Sequence, residues 1–309
     1  MKTLAAAAFA FLVSVGIGEA RTYKEMFGRE PQRDAEINAI LNSMDLRQGP
    51  VDLPAAQARI SVPAEYYYLD ATDAKKLLVK VWGNPPQTGS GVLGMIFPVR
   101  YAPDDADSWG SLIEYSADGY VSDVDAQSTD YDALLAEMQE ATQSNNGERQ
   151  RQGYEPIKLV GWASPPHYDA SRHALHWARD LLFGDDPTGP HTLNYSVRVL
   201  GRDGVLEMNF VARLDQLAEI RAAIPATLAL VTFGPGKTYG DHVDGDKIAA
   251  YGLAGLIAAG AGAKIAAKLG LLAGGLVLFK KFGVVLVVAL AGLLGSLKRR
   301  FGRKKDPSA

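Results

Sequence analysis

The sequence predicts an α+β fold: a mostly antiparallel sheet with inserted helices, followed by a C-terminal helical membrane anchor. Three observations carry this reading. Two strand-like stretches, residues 193–200 and 205–213, flank Gly201-Arg202-Asp203-Gly204, where Asp-Gly supplies the positive φ of a tight hairpin turn. Helical patterns occur singly between groups of strand-like segments, with no βαβ series and no internal repeat. From Ala249 to Leu297 almost every residue is Gly, Ala, Leu, Val or Ile.

Taken in order, residues 21–50 are polar, offer few core candidates and read as a short helix and linker. Residues 51–53 and 58–62 read as short strands around a turn, and the aromatic run 65–69 as a third. Asp70 is placed to cap a helix whose apolar positions are Ala74, Leu77, Leu78 and Val81, and Gly83-Asn84-Pro85-Pro86 stops it. Strands are expected over 92–101, 111–115 and 119–122. A helix follows over 131–143, with Leu134, Leu135 and Met138 on one face and Ser144-Asn145-Asn146-Gly147 ending it. Residues 157–163 and 173–183 read as strands. After the hairpin, residues 214–230 form a last helix with Ile220, Ile224 and Leu228 on one face and Pro225 as a kink.

The two ends differ from this middle. Lys2, the apolar run 4–17 and the small residues Gly18 and Ala20 have the layout of a secretory signal, cut after Ala20. Near the C-terminus, Lys264, Lys268, Lys280 and Lys281 interrupt the apolar region. A lysine at the bilayer centre costs about 2.5–3.5 kcal/mol, so a span avoids them. The lysine-free run 282–297 is about 24 Å long as a helix, slightly short of a hydrocarbon core of about 30 Å; Lys280, Lys281 and Lys298 can snorkel from its ends. Residues 298–305 add six basic residues and no acidic one. The positive-inside rule then favours one span with a cytoplasmic tail, residues 298–309. Residues 247–281 are left as an interfacial or packing helix: Lys264 and Lys268 share a face, and Gly270 and Gly274 give a small-xxx-small spacing through which helices, or a homo-oligomer, pack. The main domain, residues 51–246, is placed outside the cytoplasm.

Composition narrows function by exclusion. There is no cysteine, which removes disulfides, thiol catalysis and Cys-ligated metals. Residues 21–246 carry 20 Lys and Arg against 33 Asp and Glu, a balance of −13, which argues against nucleic acid as a partner. No motif assigns a catalytic residue, a cofactor or a metal. His173 and His176 are three apart on a strand, on opposite faces. Asp123, Asp125, Asp130 and Asp132 lack the Gly turn and terminal Glu of a calcium loop and read as a solvated loop with capping acids. Gly234-Pro235-Gly236-Lys237-Thr238 lacks the first glycine of a phosphate loop. Glu65, Glu114 and Glu207 are scattered, so no glycosidase carboxylate pair can be picked out.

Two segments stand out, each placing a Trp before a Pro-Pro turn: Trp82 to Pro86, and Gly161 through Trp162, Pro165 and Pro166 to Asp169. Trp82, Asn84, Trp162, His167, Tyr168 and Asp169 are the candidate binding surface, because aromatic side chains on rigid loops suit recognition; plugging the core is the plainer use of both Trp residues. These segments, with Gly119-Tyr120-Val121, Asp130-Tyr131-Asp132, Leu193-Asn194-Tyr195, the stretch from Arg198 to Leu206 and Asp246-Lys247, resemble the bacterial domain-of-unknown-function 2167 family over roughly residues 45–300. The resemblance implies an exported domain with a membrane anchor and implies no reaction. The expected function is a non-catalytic envelope domain that binds membrane lipid through its anchor and a protein or envelope ligand through its surface. The alternatives are a membrane-tethered hydrolase of glycan or cell-wall material, and a structural subunit of a membrane complex.

Overall fold

The computed structural model describes residues 19–126 and 129–259. After strand β1 (Ala20–Arg21) come helices α1 (Tyr23–Phe27) and α2 (Ala35–Asn42), strands β2 (Leu46–Arg47), β3 (Gly49–Leu53), β4 (Ala58–Val62) and β5 (Tyr66–Asp70), and helix α3 (Ala71–Lys76), which runs into a π turn over Leu77–Val81. Strands β6 (Gly94–Pro98) and β7 (Gly110–Ser116) precede helix α4 (Tyr131–Arg151). Strands β8 (Ile157–Asp169), β9 (Ala174–Phe183), β10 (His191–Leu200) and β11 (Val205–Arg213) follow, then helix α5 (Leu217–Ala229), strand β12 (Val231–Phe233) and helix α6 (Leu253–Ala259).

The α+β reading holds: strands β1-β2-β5-β6-β7-β11-β10-β9-β8 form a nine-stranded sheet, and β12-β4-β3 a three-stranded one, with every pairing of named strands antiparallel. The β10–β11 hairpin closes where expected, with Leu200 opposite Val205. Asp70 caps α3 by accepting from the Thr72 and Asp73 N–H groups at 2.9 and 3.1 Å.

Period-two alternation gives the large sheet two different faces. Leu193 and Val197 of β10, and Leu206, Met208 and Phe210 of β11, face a core closed by α5 and the small sheet. The opposite face is covered in two separate places. Near one end, α1, α2, α3 and their loops bury Tyr23, Leu41, Tyr67, Leu77 and Phe97. Near the other, α4 and α6 bury Met138, Leu175, Trp177 and Leu256. Each such side chain contributes about 1.5–3 kcal/mol of apolar transfer. Residues 21–50 are therefore part of a packed cap: Tyr23, Leu41 and Leu46 are fully buried, although few positions in this stretch looked like core in the sequence.

The structure departs from the sequence-based expectation in three further places. Helix α4 runs on through Ser144–Gly147 to Arg151. Asn146 explains this: its amide donates to Ile157 O at 2.9 Å and accepts from Ile157 N at 2.8 Å, so a residue read as a helix breaker ties the helix to β8. Strand β8 continues through Pro165-Pro166, which were expected to turn the chain. It is an edge strand whose register slips between Ser164 and His167, so the missing N–H groups cost no ladder bond. Residues 119–122 form no strand; Tyr120 makes a single parallel bridge to Ile248.

Among the described residues no helix is long and apolar enough to cross a membrane. The signal run up to Gly18, the run 282–297, Gly270 and Gly274 lie outside the described residues. The start of the 247–281 stretch does not: α6 packs on the sheet, and Asp125 accepts from the Leu253 and Ala254 N–H groups at 3.0 and 3.3 Å.

Candidate functional site

Between the two caps the sheet face stays uncovered, and there lies a cavity of about 520 Å³. Its floor is β7, β11, β10 and β9. One wall is Leu78, Trp82 and Asn84 from α3 and the turn after it; another is Tyr251 and Leu256 from the C-terminal segment. The floor is polar because the residues alternating with the core positions are polar: Asn194 and Arg198 on β10, Glu207 and Asn209 on β11, Glu114 on β7 and Arg179 on β9.

Register brings these side chains together. Glu114 pairs with Glu207 across β7–β11, and Glu207 with Arg198 across β11–β10. Arg198, 7% exposed at its side chain, reaches Glu207 Oε2 at 2.9 Å and donates to Asn209 Oδ1 at 3.1 Å. Ser116 donates to the other Glu207 oxygen at 2.6 Å, and Ser196 to Asn209 Oδ1 at 2.9 Å. Asn209 in turn donates to Glu114 at 3.3 Å. This is a closed network in which each charge has a partner. Burial, and then the Glu207 charge, push the Glu114 carboxyl above its ordinary range, against the pull of Arg198 and Asn209. Burial lowers Arg198, while Glu207 and Glu114 pull it back up.

Arg179 stands apart. One Nη donates to Asn194 Oδ1 at 2.5 Å, while its Nε is out of solvent contact and has no hydrogen-bond partner. No described carboxylate forms an ion pair with it, and burial, with Arg198 adding to it, pushes its guanidinium down to about 10. Two residues earlier on the same strand face, Trp177 is 2% exposed and its indole N–H is also without a partner; the Arg198 guanidinium lies 5.0 Å over its ring. Buried donors without partners are rare and costly, and of these two only Arg179 lines the cavity.

The six residues nominated from sequence do not share one surface. Trp82 and Asn84 line the cavity, Trp82 held by its indole N–H on Pro103 O at 3.0 Å and Asn84 by its amide on Leu78 O at 3.1 Å. Trp162 packs beside α4, its indole N–H on Tyr131 O at 3.2 Å. Tyr168 donates to Asp123 at 2.7 Å and lies 3.3 Å from His173 Nδ1. His167 and Asp169 border a smaller recess of about 310 Å³ next to α5, with His176 and Arg172. The acidic loop also resolves into structural duties, since Asp130 caps α4 through the Asp132 and Ala133 N–H groups.

Sequence reasoning missed the floor of the cavity. Glu114 and Glu207, read as scattered, are cross-strand partners. The signal was there as Thr192-x-Asn194-x-Ser196-x-Arg198, an alternating polar row on a strand that the hairpin places inside the sheet. Such a row reads equally well as a solvated face until the caps on either side are known.

The family model described as "Protein of unknown function (DUF2167)" matches residues 45–291. No curated protein matches the sequence. Among solved structures, cyanobacterial PsbP (CyanoP) from Synechocystis sp. PCC 6803 is similar at 9% identity, over 60% of this chain and 91% of that one, with a TM-score of 0.34. A likeness that loose carries no argument about function.

Proposed function

Because the chain belongs to the DUF2167 family, whose function is unknown, its role has to be read from its own geometry, and we propose that it is a non-enzymatic binding protein of the bacterial envelope whose ligand seat is the cavity between the two caps. The observation that carries this is the cavity itself: about 520 Å³, apolar walls from Leu78, Trp82, Leu112, Val211 and Leu256, and a few convergent polar groups on its floor. That combination of volume and lining is the usual form of a small-molecule site. In this reading the signal run exports the domain, residues 282–297 hold it in the membrane and the basic tail stays in the cytoplasm. The support for this placement is the lysine spacing and the six basic residues of 298–305.

The test fills the seat. Val211→Trp places an indole in the cavity mouth while leaving the polar network intact. In a thermal-shift screen of small organic molecules with the full chain, ligands are expected that stabilise the wild type and not Val211→Trp. A screen whose hits stabilise both proteins equally, or one without hits, overturns the reading. A reporter fused after Ala309 tests the anchor separately, and a signal from outside the cytoplasm contradicts the single span.

One observation favours the hydrolase alternative: a cross-strand carboxyl pair in which the Glu114 carboxyl is pushed up while Glu207 is ion-paired with Arg198 at 2.9 Å. It ranks second because both Glu207 oxygens are already engaged, by Ser116 and by Arg198, leaving neither to act as nucleophile or base. Release of soluble glycan from purified cell walls by the full chain, lost in Glu114→Gln, would reverse this order.

A further inference from the structure

We infer that the cavity recognises the carboxylate of an organic acid with an apolar body, with Arg179 as the anion seat. The inference rests on the cavity being a ligand site and goes on to name the chemistry it selects.

The floor divides into two parts. At Glu114, Glu207 and Arg198 two acids share one base, and their hydrogen-bonding groups are used by one another and by Ser116 and Asn209, so nothing there calls for an added anion. At Arg179 the balance fails: Asn194 supplies one neutral acceptor, and the Nε–H has none. A guanidinium drawn part-way out of water without a counter-charge lacks the Coulomb attraction that offsets desolvation. The pattern is explained if the missing partner arrives with a ligand. The Nη donors of the guanidinium, only one of which Asn194 is seen to engage, suit a planar carboxylate better than a point charge would.

The walls set the rest of the ligand. Leu181 and Phe183 follow Arg179 on the same strand face, and Val211, Leu78 and Trp82 also line the cavity. An apolar body there is withdrawn from water while its acid group sits on Arg179. A neutral molecule of the same shape gains the walls but leaves the guanidinium unpaired.

Calorimetric titration of the full chain with 1-naphthoate and with 1-naphthylmethanol, its neutral counterpart of similar size, tests this. Wild type is expected to bind naphthoate at least tenfold more tightly than the alcohol. Arg179→Met should remove that preference, weakening naphthoate about tenfold or more and leaving the alcohol unchanged; Arg179→Lys should fall between them. Unchanged alcohol binding by Arg179→Met also shows that the variant keeps its cavity. If both probes bind wild type equally and Val211→Trp abolishes both, the cavity is a ligand site and the anion assignment is wrong. If neither probe binds wild type, the ligand-site reading fails together with it. If Arg179→Met weakens both probes equally, Arg179 is a structural residue and the inference falls.

Discussion

Substituting Glu207 by Gln puts the buried network to a quantitative test. The Arg198 and Glu207 side chains are 7% and 18% exposed and meet at 2.9 Å. Glutamine keeps an acceptor for Ser116 and nearly the same volume, so the change removes charge and little else. Arg198 is then left buried, with Glu114 as its remaining nearby acid. Removing one partner of a buried pair costs about 3–5 kcal/mol. Partial compensation by Glu114 places the expected loss near the lower end, about 3 kcal/mol. The double variant Arg198→Met with Glu207→Gln removes both charges, so it should be less unstable than the sum of the two single variants, with a coupling energy of about 2–3 kcal/mol between the sites. Urea denaturation of the full chain, followed by tryptophan fluorescence, measures all four corners of the cycle. A Glu207→Gln loss below about 1 kcal/mol, or a double variant as unstable as the sum of its singles, refutes the account of a buried, mutually dependent pair.

Glu114 titrates above its ordinary 4.5, so its charge opposes folding, and the stability linked to its protonated form is lost as pH rises through the folded-state value. Glu114→Gln should therefore raise the melting temperature at pH 7.5 and give no gain near pH 4, which paired thermal melts will show. His176 behaves in the opposite sense: burial, with His167 adding to it, lowers it from 6.5 to about 4. Its contribution is full above pH 6.5 and lost as pH falls toward 4, by at most about 3 kcal/mol at 1.36 kcal/mol per unit and by ~1–2 kcal/mol after allowance for its partial exposure. Melts between pH 7 and 4 should show a drop that His176→Gln removes. A Cβ at Gly94 would meet the Tyr68 hydroxyl oxygen at 2.1 Å and its ring at 2.2 Å. Gly94→Ala should accordingly cost about 1–3 kcal/mol or more in denaturant, and a neutral result would mean that Tyr68, held by its hydroxyl on Leu93 O at 2.6 Å, moves freely.

Local chemistry made much of the fold legible. The Asp-Gly turn placed the β10–β11 hairpin, Asp70 announced the α3 cap, and the apolar positions of α5 and the first half of α4 read directly from helical spacing. The errors came where a distant partner overrode a local preference. Asn146 is a weak helix former in isolation, but the Ile157 backbone holds both ends of its amide. Pro165 and Pro166 break a central strand but not an edge strand with slipped register. Trp162 packs beside α4, in keeping with the plainer reading of its Trp as core, whereas nothing local reveals that Tyr168 is tied to Asp123 of the 120–126 loop.

The sequence by itself determined the class of fold, the acidic balance of the domain and the polar row along β10, because propensity, charge and alternation are properties of neighbours in the chain. Only the tertiary structure decided that this row is a cavity floor. Its walls come from residues 78–84 and 251–256, and the guanidinium without an acid partner, Arg179, from β9. Whether a polar strand face meets water or a ligand depends on which remote segments pack beside it, and that is fixed by three-dimensional packing and register, which spacing along one chain does not encode.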